Sequence, residues 1–152
     1  MTDDATIRRV LELAGTWAVV GWSPRPDRPS HGVAAYLEQT GHPVVRVNPN
    51  VRPNVGPNGV SRHLDGSDGP VGADVVVATL ADVAEPVSVV DVFRRSSEAG
   101  RVIDEAVAIG ARAVWLQLGV FDDDACERAR RAGLEVVVDR CPRIEQPRLL
   151  GR

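Results

Sequence analysis

The sequence contains few aromatic residues, few cysteines and no long apolar run, and each scarcity excludes a class of protein. Aromatic residues make up 4% of the 152 residues, so the core must be built from Val, Ala, Leu and Ile. Such a core is typical of a parallel sheet covered by helices. The two cysteines and three histidines show neither a disulfide framework nor metal-ligand spacing, and free thiols favour a reducing cytoplasm.

The net charge, the lack of a long apolar run and the N-terminal sequence argue against nucleic-acid binding, membrane association and secretion. A formal net charge of −3 offers no general attraction to nucleic acid or to an anionic membrane surface. No apolar run approaches the roughly 18 residues that a membrane span requires. The acidic N-terminus, MTDDATIRRV, does not have the layout of a signal peptide. We therefore expect one cytoplasmic domain over residues 1–152, with no nucleic-acid or membrane partner.

Apolar strand segments alternate with helical patterns along the chain. The spacing predicts strands over 17–21, 43–47, 73–78, 87–93, 113–118 and 134–139. It predicts helices over 2–14, from a capping Ser30 to Gly41, over 98–109 and over 122–132. Residues 50–72 lose all periodicity, and we interpret them as a surface loop insertion rather than a functional lid. The βαβ spacing predicts a three-layer, doubly wound α/β domain with a mostly parallel sheet.

The segment after the first predicted strand has the character of an anion site. An apolar run ends at Gly21, a proline-rich loop follows, and Ser30 opens a helical pattern. Free N–H groups and the positive end of the helix dipole gather at such a point, which suits a phosphate. Arg28 in this loop and Arg94 after a later strand are suited to charge-assisted bonds with phosphate oxygens.

A nicotinamide dinucleotide is the obvious rival ligand, and two features argue against it. Its fingerprint, G-x-G-x-x-G, is missing, because Gly21 and Gly32 are too far apart for that turn. The second strand ends in Asn48 rather than in the carboxylate that binds ribose hydroxyls. The surroundings favour a nucleotide with extra phosphate, and an NAD(P)-dependent redox or sensor domain is a disfavoured alternative.

Taken together, the segments GWSPRPDRPSHGVAAYL, VNPN, VVDVFRRS, AVWLQLGV and VVVDRC support a resemblance. In this order they resemble the small stand-alone CoA-binding proteins, which are Rossmann-like domains related to the CoA-binding domain of the succinyl-CoA synthetase α subunit. The resemblance runs from about residue 7 to residue 144 and implies coenzyme A or acyl-CoA as the ligand. The ligand-binding residues it implies are Gly21, Trp22, Ser23, Arg28, Ser30, Asn48, Pro49, Phe93, Arg94, Gln117 and Gly119.

The predicted strand ends carry no evident catalytic machinery. They show no nucleophile–base pair, no paired carboxylates and no metal set, so we expect binding without a reaction of its own. The enzymatic alternative is a CoA-binding subunit of a nucleoside-diphosphate-forming acyl-CoA synthetase, which requires a partner chain. A homo-oligomer is also compatible with the sequence.

Three further residues carry specific expectations. We interpret Trp22 as part pocket wall and part packing, and Asp91, in mid-strand, as a structural carboxyl that needs partners. Cys141 follows the last strand beside Arg140, and a nearby cation lowers the pKa of a thiol. One hypothesis is therefore a mixed disulfide between Cys141 and the CoA thiol, against the alternative of an inert, half-buried cysteine.

Overall fold

The computed structural model describes residues 2–51, 61–62, 68–69 and 76–151. Its strands, in chain order, are β1 Thr16–Val20, β2 Val44–Val47, β3 Ser61–Arg62, β4 Asp68–Gly69, β5 Val76–Val77, β6 Val87–Val92, β7 Ala113–Leu116 and β8 Glu135–Val137. Its helices are α1 Asp4–Leu11, α2 Pro29–Gln39, α3 Ser96–Ala108, α4 Asp123–Arg131 and α5 Pro142–Leu150, with a 3₁₀ helix at Leu80–Asp82. None of the helices within these ranges has the length and apolarity that crossing a bilayer demands.

Six strands form one parallel sheet in the order β5-β2-β1-β6-β7-β8. The chain winds outward from β1 in one direction and from β6 in the other, which is the doubly wound topology. The predicted fold class is therefore confirmed. The short strands β3 and β4 pair separately and antiparallel. The rest of the predicted 50–72 loop, apart from residues 50 and 51, lies outside the described residues, as do residues 73–75 of the third predicted strand.

Helices cover both faces of the sheet and bury two apolar layers. Helices α1, α2 and α5 pack on one face, and α3 and α4 pack on the other. Helix α2 buries Val33, Ala34 and Leu37, as the helical spacing predicts, because these positions fall on one stripe of the helix. The strands are nearly continuous valine runs, since helices exclude water from both of their faces.

Helix α5 was not predicted, because its sequence contains two prolines, which are typical of loops and not of helix interiors. Pro142 and Pro147 both lie within nine residues, and proline in a helix interior removes a hydrogen bond. Pro142 is tolerated because it occupies the first turn, where its missing N–H costs nothing. Four residues separate the end of β8 from the start of this helix, so its N-terminus lies at the carboxyl edge of the sheet. That edge is where α2 also begins.

Candidate functional site

Gly21 lies at the switch point of the sheet, between the carboxyl ends of β1 and β6. Its φ is +90°, and a Cβ built there would lie 2.4 Å from the carbonyl oxygen of Phe93. The Gly21 N–H donates to Val47 O and the Phe93 N–H donates to Val20 O, both at 2.8 Å. Only glycine fits this conformation and this contact. The close approach brings the ends of β1, β2 and β6 to one place, which is where ligands bind in such sheets.

The loop between β1 and α2 is closed by its own hydroxyls. The Ser23 N–H donates to Ser30 Oγ at 3.0 Å, and the Arg25 N–H donates to Ser23 Oγ at 3.2 Å. The ring of His31 donates from Nδ1 to Ser23 O at 3.2 Å. These bonds give the loop a defined shape before any ligand arrives.

The predicted helix cap at Ser30 is wrong. Ser30 is the second residue of α2, and the N-cap is Arg28, whose extended backbone precedes Pro29. Proline favours the first helical position, because its φ is already helical and its N–H is not needed there. No side chain of the described residues caps this helix, and in its first turn the His31 N–H donates to the carbonyl oxygen of Arg28 at 3.1 Å.

A stack of planar groups lies beneath this loop. The rings of Trp22 and His31 stack with centroids 5.7 Å apart and planes 25° apart. The guanidinium of Arg46 lies 5.3 Å from the centre of the Trp22 ring and also pairs with Glu38. Trp22 is 1% exposed, so its ring is core and not pocket wall. Arg46 was not predicted as part of this stack, although a charge inside an apolar strand was a visible signal.

Asn48 joins three strand ends through its side chain and backbone. Its Nδ2 donates to Trp22 O at 2.8 Å, and its Oδ1 accepts from the Asn50 N–H at 2.8 Å. Its own N–H donates to Val77 O at 3.0 Å. Asn48 therefore positions the β1 and β2 loops, a role that the interpretation as a ligand residue did not include.

We expect Asn48→Ala to lower the free energy of unfolding by about 1–2 kcal/mol, since two hydrogen bonds to backbone groups are lost. Chemical denaturation of the variant and the wild type measures this difference. Asn48→Asp is the matched control, because it retains the acceptor for Asn50 but places a charged oxygen, instead of the donor, opposite Trp22 O. Equal stability of all three proteins would contradict the positioning role.

A cleft of roughly 430 Å³ opens at the same edge, on the α3 face. Val20, Val47 and Leu80 contribute apolar walls, and Pro49 and Arg94 lie among its other lining residues. Within the described part of the chain, the Arg94 guanidinium forms no hydrogen bond and no ion pair. An unpaired arginine on the wall of a cleft at the switch point is suited to an anionic ligand.

Gln117 and Asp91 form a buried pair at the end of the neighbouring strands. Gln117 Nε2 donates to Asp91 Oδ1 at 2.7 Å, and Asp91 is fully buried. Burial raises the pKa of Asp91 to about 8, against the smaller opposing effect of the Gln117 hydrogen bond. The carboxyl is therefore mostly protonated at neutral pH.

The loop after β7 is held in place by polar contacts of its own. The Gly119 N–H donates to Asp139 Oδ1 at 2.8 Å, and the Phe121 N–H donates to Ser96 Oγ at 2.9 Å. Gly119 is exposed, whereas Gln117 is buried beneath it. The structure therefore presents the Gly119 turn to solvent and turns the amide nitrogen of Gln117 inward.

Cys141 does not have the lowered pKa that its sequence position suggested. Burial is the largest effect on the thiol and raises its pKa. Arg140 is engaged elsewhere, since its Nη1 donates to Asp139 O at 2.8 Å and its Nε lies 3.6 Å from Glu145. The expectation of an activated thiolate is thus wrong, and the mixed-disulfide hypothesis loses its chemical support.

The predicted ligand residues fall into three groups at the carboxyl edge. The first loop and the start of α2 carry Gly21, Trp22, Ser23, Arg28 and Ser30. The ends of β2 and β6 carry Asn48, Pro49, Phe93 and Arg94, and the turn after β7 carries Gln117 and Gly119. All three groups lie at one edge of the sheet.

Comparison with known proteins extends these observations. YneT, an uncharacterized protein from Bacillus subtilis (strain 168), is 29% identical over 140 residues, which cover 92% of this chain and 91% of YneT. The crystal structure of Prb, a PH1109 protein redesigned for binding, is 31% identical with a TM-score of 0.83, covering 100% of this chain and 95% of Prb. The cell-free ID.343 protein from Thermus thermophilus is 34% identical with a TM-score of 0.79, covering 97% of this chain and 99% of that protein.

Each match spans this chain and its relative almost from end to end, so the relatives are single domains of the same size. The family model described as CoA binding domain matches residues 15–147, a range that contains β1, all the strand ends described above and most of α5. The chain belongs to the CoA binding domain family.

Proposed function

We propose that this protein binds coenzyme A or acyl-CoA at the carboxyl edge of its sheet and carries out no reaction of its own. The unpaired Arg94 on the wall of the switch-point cleft is the observation that carries the proposal. An arginine without a protein partner favours a phosphorylated ligand, and family membership indicates which one.

The ligand would extend along the edge from β2 toward β7. Its phosphates would meet the first loop, the start of α2 and the guanidinium groups of Arg28 and Arg94. Arg28 is exposed at the N-cap of α2 and, like Arg94, has no ion pair among the described residues. The cleft, with its apolar walls, would hold the nucleoside end beside Pro49. The pantetheine arm would then pass Phe93 toward Gln117 and Gly119.

The protonation states at this edge support binding without catalysis. Asp91 is mostly protonated and accepts a hydrogen bond from Gln117, so it offers little carboxylate base at neutral pH. Cys141 has a raised pKa, so it offers little thiolate as a nucleophile.

We expect Arg94→Ala and Arg28→Ala each to weaken CoA binding by about 1–3 kcal/mol, because each removes charge-assisted bonds to phosphate. Calorimetric titration of each variant with CoA measures the change. Arg112→Ala is the matched control, since Arg112 is exposed and precedes β7 at the opposite edge of the sheet.

All three variants lose one positive charge, so they differ only in where the charge is lost: at the carboxyl edge for Arg28 and Arg94, and at the opposite edge for Arg112. Equal CoA affinity in the wild type and all three variants would remove Arg28 and Arg94 from the site. Equal losses in all three variants would indicate a general charge effect and not a local one.

A further inference from the structure

The helix that follows the last strand brings an additional cation to the start of α2. Helix α5 begins at Pro142, separated from the end of β8 by four residues, and packs on the same face of the sheet as α2. The N-termini of both helices therefore lie at the carboxyl edge. Each contributes partial positive charge there.

Arg143, the second residue of α5, rests on the first turn of α2. A Cβ built at Gly32 would lie 3.0 Å from Arg143 Nη1, so the missing side chain of Gly32 leaves space for the guanidinium. The charge of Arg143 also lowers the pKa of Tyr36, one turn further along α2, although burial raises that pKa more strongly. Two separate positions on α2 thus locate this guanidinium beside the helix.

Within the described part of the chain, no protein anion balances this cation. Among the described residues Arg143 forms no hydrogen bond and no ion pair, and the first turn of α2 contains no acid. The acids nearby have other partners. Asp27 pairs with Arg25 at 3.2 Å, and Glu145 pairs with Arg148 at 2.6 Å.

An unpaired arginine at the positive ends of two helices is electrostatically unfavourable in the free protein. Helix N-termini favour acids, and each cation placed there costs a few tenths of a kcal/mol to about 1 kcal/mol. A bound anion attracts the guanidinium and both helix N-termini, and these new attractions offset the mutual repulsion of the positive groups. The arrangement therefore stabilises a protein–anion complex more than it stabilises the protein alone.

We infer that Arg143 binds a phosphate group of the ligand, so that α5 as well as the first loop forms the anion-binding part of the site. This inference rests on the proposed function for the identity of the ligand. It adds a binding residue from a helix that neither the residue pattern nor the family resemblance had assigned to the site. Arg28 at the N-cap and Arg143 from the side would then enclose the phosphate at the start of α2.

Titration of the wild type, Arg143→Ala, Arg143→Lys and Arg112→Ala with CoA tests the inference. We expect Arg143→Ala to weaken CoA binding about tenfold or more, as the loss of a hydrogen bond between charged groups does. Arg143→Lys should retain part of the affinity, because it keeps the charge without the planar fork. Arg112→Ala should bind as the wild type does. Arg143 is exposed, and thermal melts of the free proteins verify that every variant is folded.

A second probe, inorganic pyrophosphate, separates this inference from the proposed function. Pyrophosphate should raise the melting temperature of the wild type and of Arg112→Ala more than that of Arg143→Ala. If the wild type binds CoA and Arg143→Ala binds it equally well, the role of Arg143 is refuted and the proposed function stands. If the wild type does not bind CoA, the proposed function fails, and the pyrophosphate result alone decides the role of Arg143. Equal stabilisation of all the proteins by pyrophosphate would in that case refute an anion site at Arg143.

Discussion

Asp91→Asn is expected to gain about 4 kcal/mol in unfolding free energy relative to the wild type as the pH rises from 5 to 8. Burial raises the pKa of Asp91 to about 8, from the ordinary value of 3.8 for an aspartate side chain. Between these two values the folded protein holds a proton that the unfolded chain has released. The wild type therefore loses stability as the pH rises through this window, by roughly 1.4 kcal/mol per pH unit. Asparagine carries no titrating proton, so the variant lacks this loss.

Urea denaturation of both proteins at several pH values measures this difference, and other titrating groups cancel in it. Gln117→Ala is the matched control. In the wild type, the hydrogen bond from Gln117 lowers the pKa of the Asp91 carboxyl. The control variant removes this hydrogen bond and leaves the buried carboxyl in place. We expect Gln117→Ala to be less stable throughout and to retain the pH dependence. Parallel stability profiles for Asp91→Asn and the wild type would show that Asp91 is ionised in the folded protein at neutral pH.

Gly21→Ala is expected to destabilise the protein by about 2–5 kcal/mol and to abolish ligand binding at the switch point. The positive φ of Gly21 strains any residue with a Cβ, and the new Cβ would also contact the backbone oxygen of Phe93 at 2.4 Å. Neither backbone can shift without displacing the end of β1 or of β6. Thermal and chemical denaturation, together with CoA titration, measure both effects.

Gly133→Ala isolates the steric part of this prediction. Gly133 has a similar φ of +93°, but nothing lies within 4 Å of a Cβ built there. The control therefore carries the conformational strain without the clash, and we expect Gly21→Ala to cost about 1–3 kcal/mol more. Equal losses in the two variants would mean that the ends of β1 and β6 do not pack as closely as described.

The sheet could be predicted from the sequence because its strands are short valine runs between helical segments. Both faces of a central strand are buried, so each run is mainly apolar, and 87–93 could be predicted from its branched-chain residues despite Ser88 and Asp91. The loop after β1 could be located as well, because glycine, proline and serine have distinct backbone preferences. What remained open there was which residue caps the helix, and Pro29 rather than Ser30 determines it.

The contacts inside the site could not be predicted, because they join distant residues. Arg46 lies under Trp22, and Gln117 bonds Asp91, 26 residues earlier in the chain. Periodicity carries no information about such pairs. Arg143 was missed for a different reason, since the two prolines of α5 concealed the helix that places it against α2.

We propose that the carboxyl edge binds coenzyme A in preference to a nicotinamide dinucleotide. Calorimetric titration of the purified protein with CoA, acetyl-CoA, NAD and NADP tests it most directly. We predict saturable binding of CoA and acetyl-CoA with one ligand per chain, and no heat of binding with NAD or NADP. Binding of NAD or NADP without binding of either CoA compound would contradict the account.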